Sequence, residues 1–491
     1  MSTADLRRRL VQLDAAIVAQ KRALAELQRD RETVQCQLDA SSTFPALQLP
    51  VEITIEIFTL CLPTIEQLRE DKRLSMSEKL KSDAPTLFLG VCRAWRDIAL
   101  SIPALWATLS LRFHTIDDDV AAQVGRVEDF IERWLNRAAH RPLSIAFYAE
   151  CTLAPFTKER MRDIIHRYAH RIQDLELEWS RYEMDALQLH SAVFPLLQRA
   201  TLGDIWEDGH GAHDTVPLFT NAPQLRDFHL TRDGLFSHYI LPSLQLTRFD
   251  GDIDYDLDLF SLAPNLIEAR CRVVDLEDTP DSPIIHSQLQ DLTLVKYPGL
   301  TAQRILPHLT LPALQSFHIS GLSTDMSTVW TLYSFLVRSS PPLRTLSILD
   351  DDEIGNLYYW KECFDLLEAT LEHLEVVSPR RNFQGLVFNS FPHLQSLSFV
   401  DPRGVDYKAL LDFLDQRTNS PATLRSFRIT CDSLEDISTD VAVTSPGAGQ
   451  YSFQSNEVAD HLASLASRGL DIHIGTSRKN YVEHVRPSRV S

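Results

Sequence analysis

The stretch LQDLTL (289–294) decides the fold of most of this chain, because its pattern recurs as LQSFHI (314–319) and LRTLSI (343–348). Each copy has a leucine, two further residues, an apolar residue, one residue and a last apolar residue. Alternate residues of a strand point to opposite faces, so the two late apolar residues enter a core while their neighbours line an open face. We therefore predict one short strand for each copy.

Ten copies of this phrase, at spacings of roughly 20 to 30 residues, indicate leucine-rich repeats. The other seven are IQDLEL (172–177), LRDFHL (225–230), LTRFDG (246–251), LIEARC (266–271), LEHLEV (371–376), LQSLSF (394–399) and LRSFRI (424–429). A weaker copy is LQRATL (197–202), and two phrases fit end strands, PLSIAF (142–147) and GLDIHI (469–474).

Helical stretches lie between the predicted strands, at 124–138, 157–170, 327–338, 360–369, 406–416 and 457–467. Strand-helix units of this kind cannot bury their apolar sides alone, so stacking them produces a solenoid. The predicted fold class is α/β, in which residues 112–475 form a leucine-rich-repeat solenoid with a curved parallel sheet and outer helices.

A different pattern precedes the repeats, in LPVEITIEIFTLCL (49–62) and LFLGVCRAWRDIALSIPALWATLSL (87–111). Pro50 suits the first turn of a helix, where its missing N–H has no partner to lose. The helix then carries two apolar stripes, Ile53, Ile57 and Leu60 on one and Val51, Ile55, Phe58 and Leu62 on the other. Two stripes need two partners, of which one can be the helix's own domain and the other another protein.

These two stretches resemble an F-box. The family opens with Leu-Pro-x-Glu and an Ile-Phe pair, continues with Val-Cys-Arg-x-Trp-Arg and closes with Leu-Trp. The matching positions are Leu49, Pro50, Glu52, Ile57, Phe58, Val91, Cys92, Arg93, Trp95, Arg96, Leu105 and Trp106. A charged insert, IEQLREDKRLSMSEKLKSDA (65–84), departs from the family's shorter link and is either a solvated loop or a regulatory addition.

The resemblance implies an all-α domain that binds a Skp-family adaptor and, through it, a cullin. It implies that the repeats, which are similar to the irregular class that follows F-boxes in mushroom-forming fungi, hold a protein substrate for ubiquitination. The chain itself would then be no enzyme and need no cofactor. The residues expected at the adaptor contact or in its support are Leu49, Pro50, Ile53, Ile57, Leu60, Val91, Cys92, Trp95, Leu105 and Trp106.

Residues 5–40 are predicted to form one long helix, because apolar residues alternate at spacings of four and three over nearly five heptads. They are Leu6, Leu10, Leu13, Ile17, Leu24, Leu27, Val34 and Leu38, with Gln20 and Arg31 at two steps. This coiled-coil spacing favours a homodimer, and the alternative is a helix folded back on its own chain. A second hypothesis for the whole protein follows, a coiled-coil-dimerised scaffold whose F-box-like helices only cap the solenoid.

The composition limits the class of partner. A net charge of −19, with no block of Lys and Arg to outweigh it, disfavours nucleic acid and anionic membranes and favours a basic protein. Seven scattered cysteines without a Cys-x-x-Cys indicate reduced thiols. No stretch approaches the roughly 18 apolar residues of a membrane span, so we expect a cytoplasmic protein, a nuclear one, or both.

Aspartates alternate with other residues at five positions, Asp250, Asp252, Asp254, Asp256 and Asp258. In a strand all five carboxylates share one face. Tyr255 and Ser261 stand where a calcium loop needs glycine and glutamate, which disfavours a metal site. We expect an acidic patch that either contacts a basic substrate or is a solvated strand edge, and an enzyme using a metal here is the third hypothesis.

Two further groups carry weaker signals. GHGAHD (209–214) offers His210 and His213 without the other ligands of a zinc site, and the acidic run at 350–353 is typical of a solvated turn. These patterns divide the chain into a coiled-coil helix (1–43), an F-box-like domain (44–111), the solenoid (112–475) and a disordered tail (476–491). Residues 436–455, rich in Ser, Thr, Gly and Asp, are predicted to be a mobile loop.

Overall fold

The structure of the protein is a computed structural model. It describes residues 3–41, 49–63, 84–113, 120–149, 155–179, 181–204, 215–232, 234–253, 257–273, 282–295, 305–320, 326–349, 357–379, 381–388, 390–402, 405–419, 424–431, 456–476 and 479–480. The predictions for the charged insert, the GHGAHD loop, the acidic run at 350–353 and the loop at 436–455 lie outside these residues. The chain forms two compact units, Met1–Leu105 and Trp106–Ser491.

The described part of the first unit is helical. Its helices are α1 (Thr3–Ser41), α2 (Val51–Leu60), α3 (Thr86–Val91) and α4 (Arg93–Ser101), followed by a 3-10 turn, Pro103–Trp106. The predicted single helix over 5–40 is confirmed as α1. α2 begins directly after Pro50, which is its N-cap, one position before the first turn in which the sequence placed it.

The second unit is built on strands that follow one another in space in their chain order. They are β1 (Thr108–Phe113), β2 (Leu143–Ala149), β3 (Ile172–Trp179), β4 (Arg199–Asp204), β5 (Val216–Pro217), β6 (Asp227–Arg232), β7 (Tyr239–Ile240), β8 (Arg248–Ile253), β9 (Glu268–Val273), β10 (Ile284–Ile285), β11 (Asp291–Val295), β12 (Leu309–Thr310), β13 (Ser316–Ser320), β14 (Thr345–Leu349), β15 (His373–Val377), β16 (Ser396–Val400), β17 (Ser426–Thr430), β18 (Asp471–Thr476) and β19 (Lys479–Asn480).

Within the described residues, fifteen of these strands form one sheet, and two parallel pairs, β5–β7 and β10–β12, stand apart from it. Neighbours from β1 to β18 are parallel, and β19 is antiparallel to β18. Every phrase predicted to be a strand contributes one to this sheet. The protein is therefore mixed α/β with a long parallel sheet.

The phrase forms strands for the predicted reason. In β13, Phe317 and Ile319 are buried, whereas the alternate residues Ser316, His318 and Ser320 are half-buried. The leading Leu314 precedes the strand and is fully buried as well. One face of the sheet thus joins a core, and the other, which we call the open face, carries polar side chains.

Helices cover the core face of the sheet. They are α5 (Val120–Arg137), α6 (Pro155–Tyr168), α7 (Arg181–Ala186), α8 (Asp258–Leu262), α9 (Met326–Ser339), α10 (Leu357–Leu367), α11 (Arg381–Phe388), α12 (Tyr407–Asn419) and α13 (Asn456–Ser467), with 3-10 turns at Ala169–Arg171, Phe236–His238, Ser243–Gln245 and Leu306–His308. The six predicted helices are confirmed. Phe317 of β13 meets Phe335 of α9 at 5.7 Å between ring centroids, which shows how strand and helix share the core. None of the described helices is long and apolar enough to cross a membrane.

Two ends of the sheet differ from the prediction. Residues 108–111, assigned to the F-box-like domain, lie in β1 and pair with β2. The tail predicted to be disordered from residue 476 is ordered at its start, where Thr476 pairs with Lys479. Asn480 explains this order, because its side-chain amide donates to the Ile472 carbonyl at 2.9 Å and accepts from the Ile474 N–H at 3.1 Å. These bonds satisfy backbone groups at the edge of the sheet.

Candidate functional site

Three aromatic rings form the core of the α2–α4 hairpin. Phe58 of α2 stacks on Phe88 of α3 with centroids 4.0 Å apart, and Trp95 of α4 meets the Phe58 ring edge-on at 5.0 Å. Phe58 and Phe88 are buried, and Trp95 is half-buried. The rings join three short helices that are individually too short to be stable in water.

The junction between α3 and α4 is held by polar contacts. Cys92 is the N-cap of α4, and its sulfur accepts a hydrogen bond from the Trp95 N–H at 3.4 Å. The Arg96 guanidinium donates to the Leu89 carbonyl at 2.8 Å, which ties the end of α3 to α4. Both contacts fix the angle between α3 and α4.

An apolar surface remains uncovered around this core. It consists of Ile53, Ile57 and Leu60 on α2 and Leu87 and Val91 on α3, which are between 39% and 80% exposed. We call these five residues the exposed stripe. Exposed apolar residues clustered on so small a unit are typical of an interaction site.

The ten residues predicted for the adaptor contact or its support fall into three groups. Pro50, Ile53, Ile57, Leu60 and Val91 are exposed, Leu49, Cys92 and Trp95 are half-buried, and Leu105 and Trp106 are buried. Trp106 lies edge-on to Trp134 of α5 at 4.9 Å, and the Arg137 guanidinium covers its ring at 4.5 Å. Leu105 and Trp106 therefore offer no surface to a partner, and only a supporting role is open to them.

The aspartates at 250–258 do not form one continuous row. β8 ends at Ile253, Asp254 and Asp256 lie outside the described residues, and Asp258 begins α8. Leu257 has a left-handed backbone (φ 50°), which turns the chain out of the strand direction before α8. The expectation that all five share a strand face is therefore wrong for Asp258.

Asp250 and Asp252 do face the open side of β8, in different surroundings. The Asp252 side chain is buried and accepts a hydrogen bond from Arg272 Nε at 2.5 Å. The Asp250 side chain is about half exposed (48%) and lies near His229. Of the two aspartates on β8, Asp250 is thus the one with surface to offer.

His229 joins two strands through carboxylates. Its Nε2 is 2.7 Å from Asp227 Oδ1, and its Nδ1 is 3.9 Å from Asp250 Oδ2. Burial alone lowers the pKa of His229, but the two carboxylates outweigh burial and raise it to about 9. Burial likewise opposes ionisation of Asp227, yet His229 and Arg199 hold the pKa of that carboxyl below its usual range. At neutral pH the imidazole is therefore protonated and is not a general base.

Opposite charges alternate across the strands next to this cluster. Asp174, Arg199, Asp227, Arg248 and Glu268 are successive partners in register on β3, β4, β6, β8 and β9. Ion pairs of 3.0 Å join Arg199 to Asp227 and Arg248 to Glu268. A cavity of about 570 Å³ opens beside this charge ladder. The arrangement suits a partner that carries both signs of charge.

No protein-family model matches the chain, and no curated protein is significantly similar to it. The exposed stripe and the open face with its charge ladder are therefore the basis for a function. Among the described residues, no group of three or more His, Cys, Asp or Glu side chains is arranged to hold a metal ion.

Sequence reasoning missed the charge ladder, although its signal is readable. The ladder residues occupy the third position of five consecutive phrases, where the letters are D, R, D, R and E. Parallel strands formed by equivalent phrases pair in register. A charge that alternates in sign from one phrase to the next therefore alternates from one strand to the next across the sheet. Leu87 of the exposed stripe was also missed, since periodicity shows which faces of a helix are apolar but not which of them remain uncovered.

Proposed function

We propose that this chain is the substrate-recognition subunit of a Skp-cullin-F-box ubiquitin ligase. In this proposal α2–α4 are the F-box that docks on a Skp-family adaptor, and the strand repeats are irregular leucine-rich repeats that hold a protein substrate. The observation that carries it is the exposed stripe. Ile53, Ile57 and Leu60 stay at the surface while Phe58, Phe88 and Trp95 complete the unit's own core.

The energetics of the stripe support a docking role. Covering one exposed leucine contributes about 2 kcal/mol, and a few such anchors carry most of the energy of an interface. An aspartate at the same position loses that contribution and adds an unpaired charge that must be desolvated. The expected loss is about 2 to 3 kcal/mol, which corresponds to roughly 30- to 150-fold in Kd.

The test is co-expression of the chain with a Skp-family adaptor, followed by size exclusion and titration calorimetry. We expect the wild type to co-elute with the adaptor and Leu60→Asp to bind it at least about 30-fold more weakly. Leu244→Asp is the matched control, because Leu244 of the second unit is 70% exposed and Leu60 is 80% exposed. Circular dichroism of both variants checks that folding is unchanged.

Two outcomes would remove the proposal. The first is the absence of a wild-type complex with the adaptor, which leaves the coiled-coil-dimerised scaffold as the better description. The second is equal binding by Leu60→Asp and the wild type. Trp95→Ala is not a suitable test, because the Trp95 ring packs on Phe58 and its loss would disturb the fold.

The substrate surface in this proposal is the open face from β3 to β9. The net charge of −19 and the half-exposed Asp250 favour a basic segment of the substrate. The charge ladder adds arginines that would pair with acidic residues of the same segment.

A further inference from the structure

The longest described helix of the protein exposes its apolar residues. α1 is about 58 Å long, at 1.5 Å per residue over 39 residues. Every side chain from Arg8 to Leu38 is exposed, including the apolar ones. A helix that leaves a regular apolar seam in water is stable only when another element covers that seam.

The seam has the geometry of a two-stranded coiled coil. Its positions in heptad notation are Leu10, Ile17, Leu24, Arg31 and Leu38 at a, and Leu6, Leu13, Gln20, Leu27 and Val34 at d. Eight of these ten are large apolar residues, between 48% and 66% exposed. Three to four heptads are enough for a stable coil, and α1 has nearly five.

We propose that α1 pairs with α1 of a second copy of this chain in a parallel, in-register coiled coil. The occupant is the same helix because charge complementarity selects it. In this pairing Arg9 lies beside Asp14 of the second copy across the seam, and Arg31 inserts into a hole bordered by Asp30 of the second copy. No like charges meet at the flanking positions. In the seam Arg31 faces Arg31 of the second copy, and the Asp30 carboxylates beside this pair offset its repulsion.

The antiparallel arrangement is less favourable. Centred on the same seam, it brings Lys21 of each copy opposite the other and separates Arg9 from Asp14. It also places Gln20 against Leu24 of the second copy instead of against an identical amide. A polar residue facing its own kind in the seam is a known means of fixing register.

The mass of the full chain in solution tests the pairing. We expect the wild type to have twice the chain mass by light scattering at micromolar concentration, and Ile17→Lys/Leu24→Lys to have the mass of one chain. Val11→Lys/Val18→Lys is the matched control on the same helix. Val11 and Val18 are 67% and 49% exposed but lie outside the seam, so this variant stays dimeric.

A second measurement reports orientation. In a background lacking the exposed Cys36 and Cys61, Gln20→Cys forms an interchain disulfide under mild oxidation, because the two d positions face each other in the parallel coil. Arg22→Cys, which points away from the seam, does not.

A single-chain mass for the wild type would overturn the inference, and so would a dimer that survives the two lysines in the seam. Cross-linking of Arg22→Cys but not of Gln20→Cys would overturn the parallel register. The proposed function is tested separately, because the seam variant keeps the exposed stripe and its binding to the adaptor is expected to be unchanged.

Discussion

At the scale of single residues, His229 gives the open face a pH-dependent contribution to stability. Its pKa is raised from 6.5 to about 9, so the folded protein retains a proton that the unfolded chain loses at lower pH. The stabilisation is therefore complete below about pH 6.5 and is lost as the pH rises through about 9.

We expect His229→Gln to lower the free energy of unfolding by about 1 to 2 kcal/mol near pH 6, and by much less above about pH 9.5. This magnitude is discounted for solvent screening, because the His229 side chain is 32% exposed. Thermal unfolding of variant and wild type across this pH range measures the difference. His318→Gln is the control, because the His318 ring lies 3.0 Å from the Ser316 hydroxyl on the same face. Equal pH dependence in both variants would contradict the prediction.

The residues of the candidate site were only partly predictable. Helical periodicity identifies the apolar stripe of α2, but the choice of the covered face depends on Phe58 meeting Phe88 from a different helix. Trp95, expected at the adaptor contact or in its support, packs in the ring core. The His229 cluster depends on the register of β6 against β8, which no single strand specifies.

At the scale of elements, the close approach of β6 limits the size of the side chain that β8 can carry at Gly251. A Cβ added at Gly251 would lie 2.6 Å from the Cβ of Leu230, well inside contact distance. We expect Gly251→Ala to destabilise the protein by about 1 to 3 kcal/mol, since one strand must shift to relieve the overlap. Chemical denaturation measures the change.

A control glycine in a helix, Gly385, separates the steric effect of an added methyl group from its effect on the freedom of the backbone. Gly385 of α11 has no atom within 4 Å of an added Cβ. Gly385→Ala is therefore expected to stabilise the protein by about 0.5 to 1 kcal/mol, because alanine restricts the unfolded chain and favours a helix. A neutral effect of Gly251→Ala would show that the strands adjust to the methyl group.

Elements with a strong period were predictable, and short ones were not. The two-residue alternation of the phrase identifies every strand from β2 to β18 in the long sheet. β1 was missed because its alternation follows the Leu-Trp end of the F-box resemblance directly. β19 was missed because two residues carry no period, and the side chain of Asn480 holds them in place.

At the scale of the whole molecule, each strand of the long sheet is hydrogen-bonded only to the strands beside it. Each inner strand pairs with the strands before and after it in the sheet order, and that order follows the chain. The parallel arrangement was predictable, because equal phrases separated by helices return each strand in the same direction. In such a stack, stability is close to a sum of local terms and nearest-neighbour terms.

A cavity at one end should therefore loosen that end and leave the other unchanged. Ile472 of β18 is 4% exposed, and Ile472→Ala removes most of a buried side chain from the core beside the last parallel strand. We expect amide hydrogen exchange in β17 and β18 to accelerate by about tenfold or more, and exchange in β2 and β3 to change by less than about twofold. Mass spectrometry of peptic fragments measures both ends in one experiment. Ile145→Ala in β2, where Ile145 is 2% exposed, is the mirror control and should loosen β2 and β3 instead. Equal acceleration from β2 to β18 in either variant would mean that the sheet opens as one cooperative unit, because only then does a local defect reach the far strands.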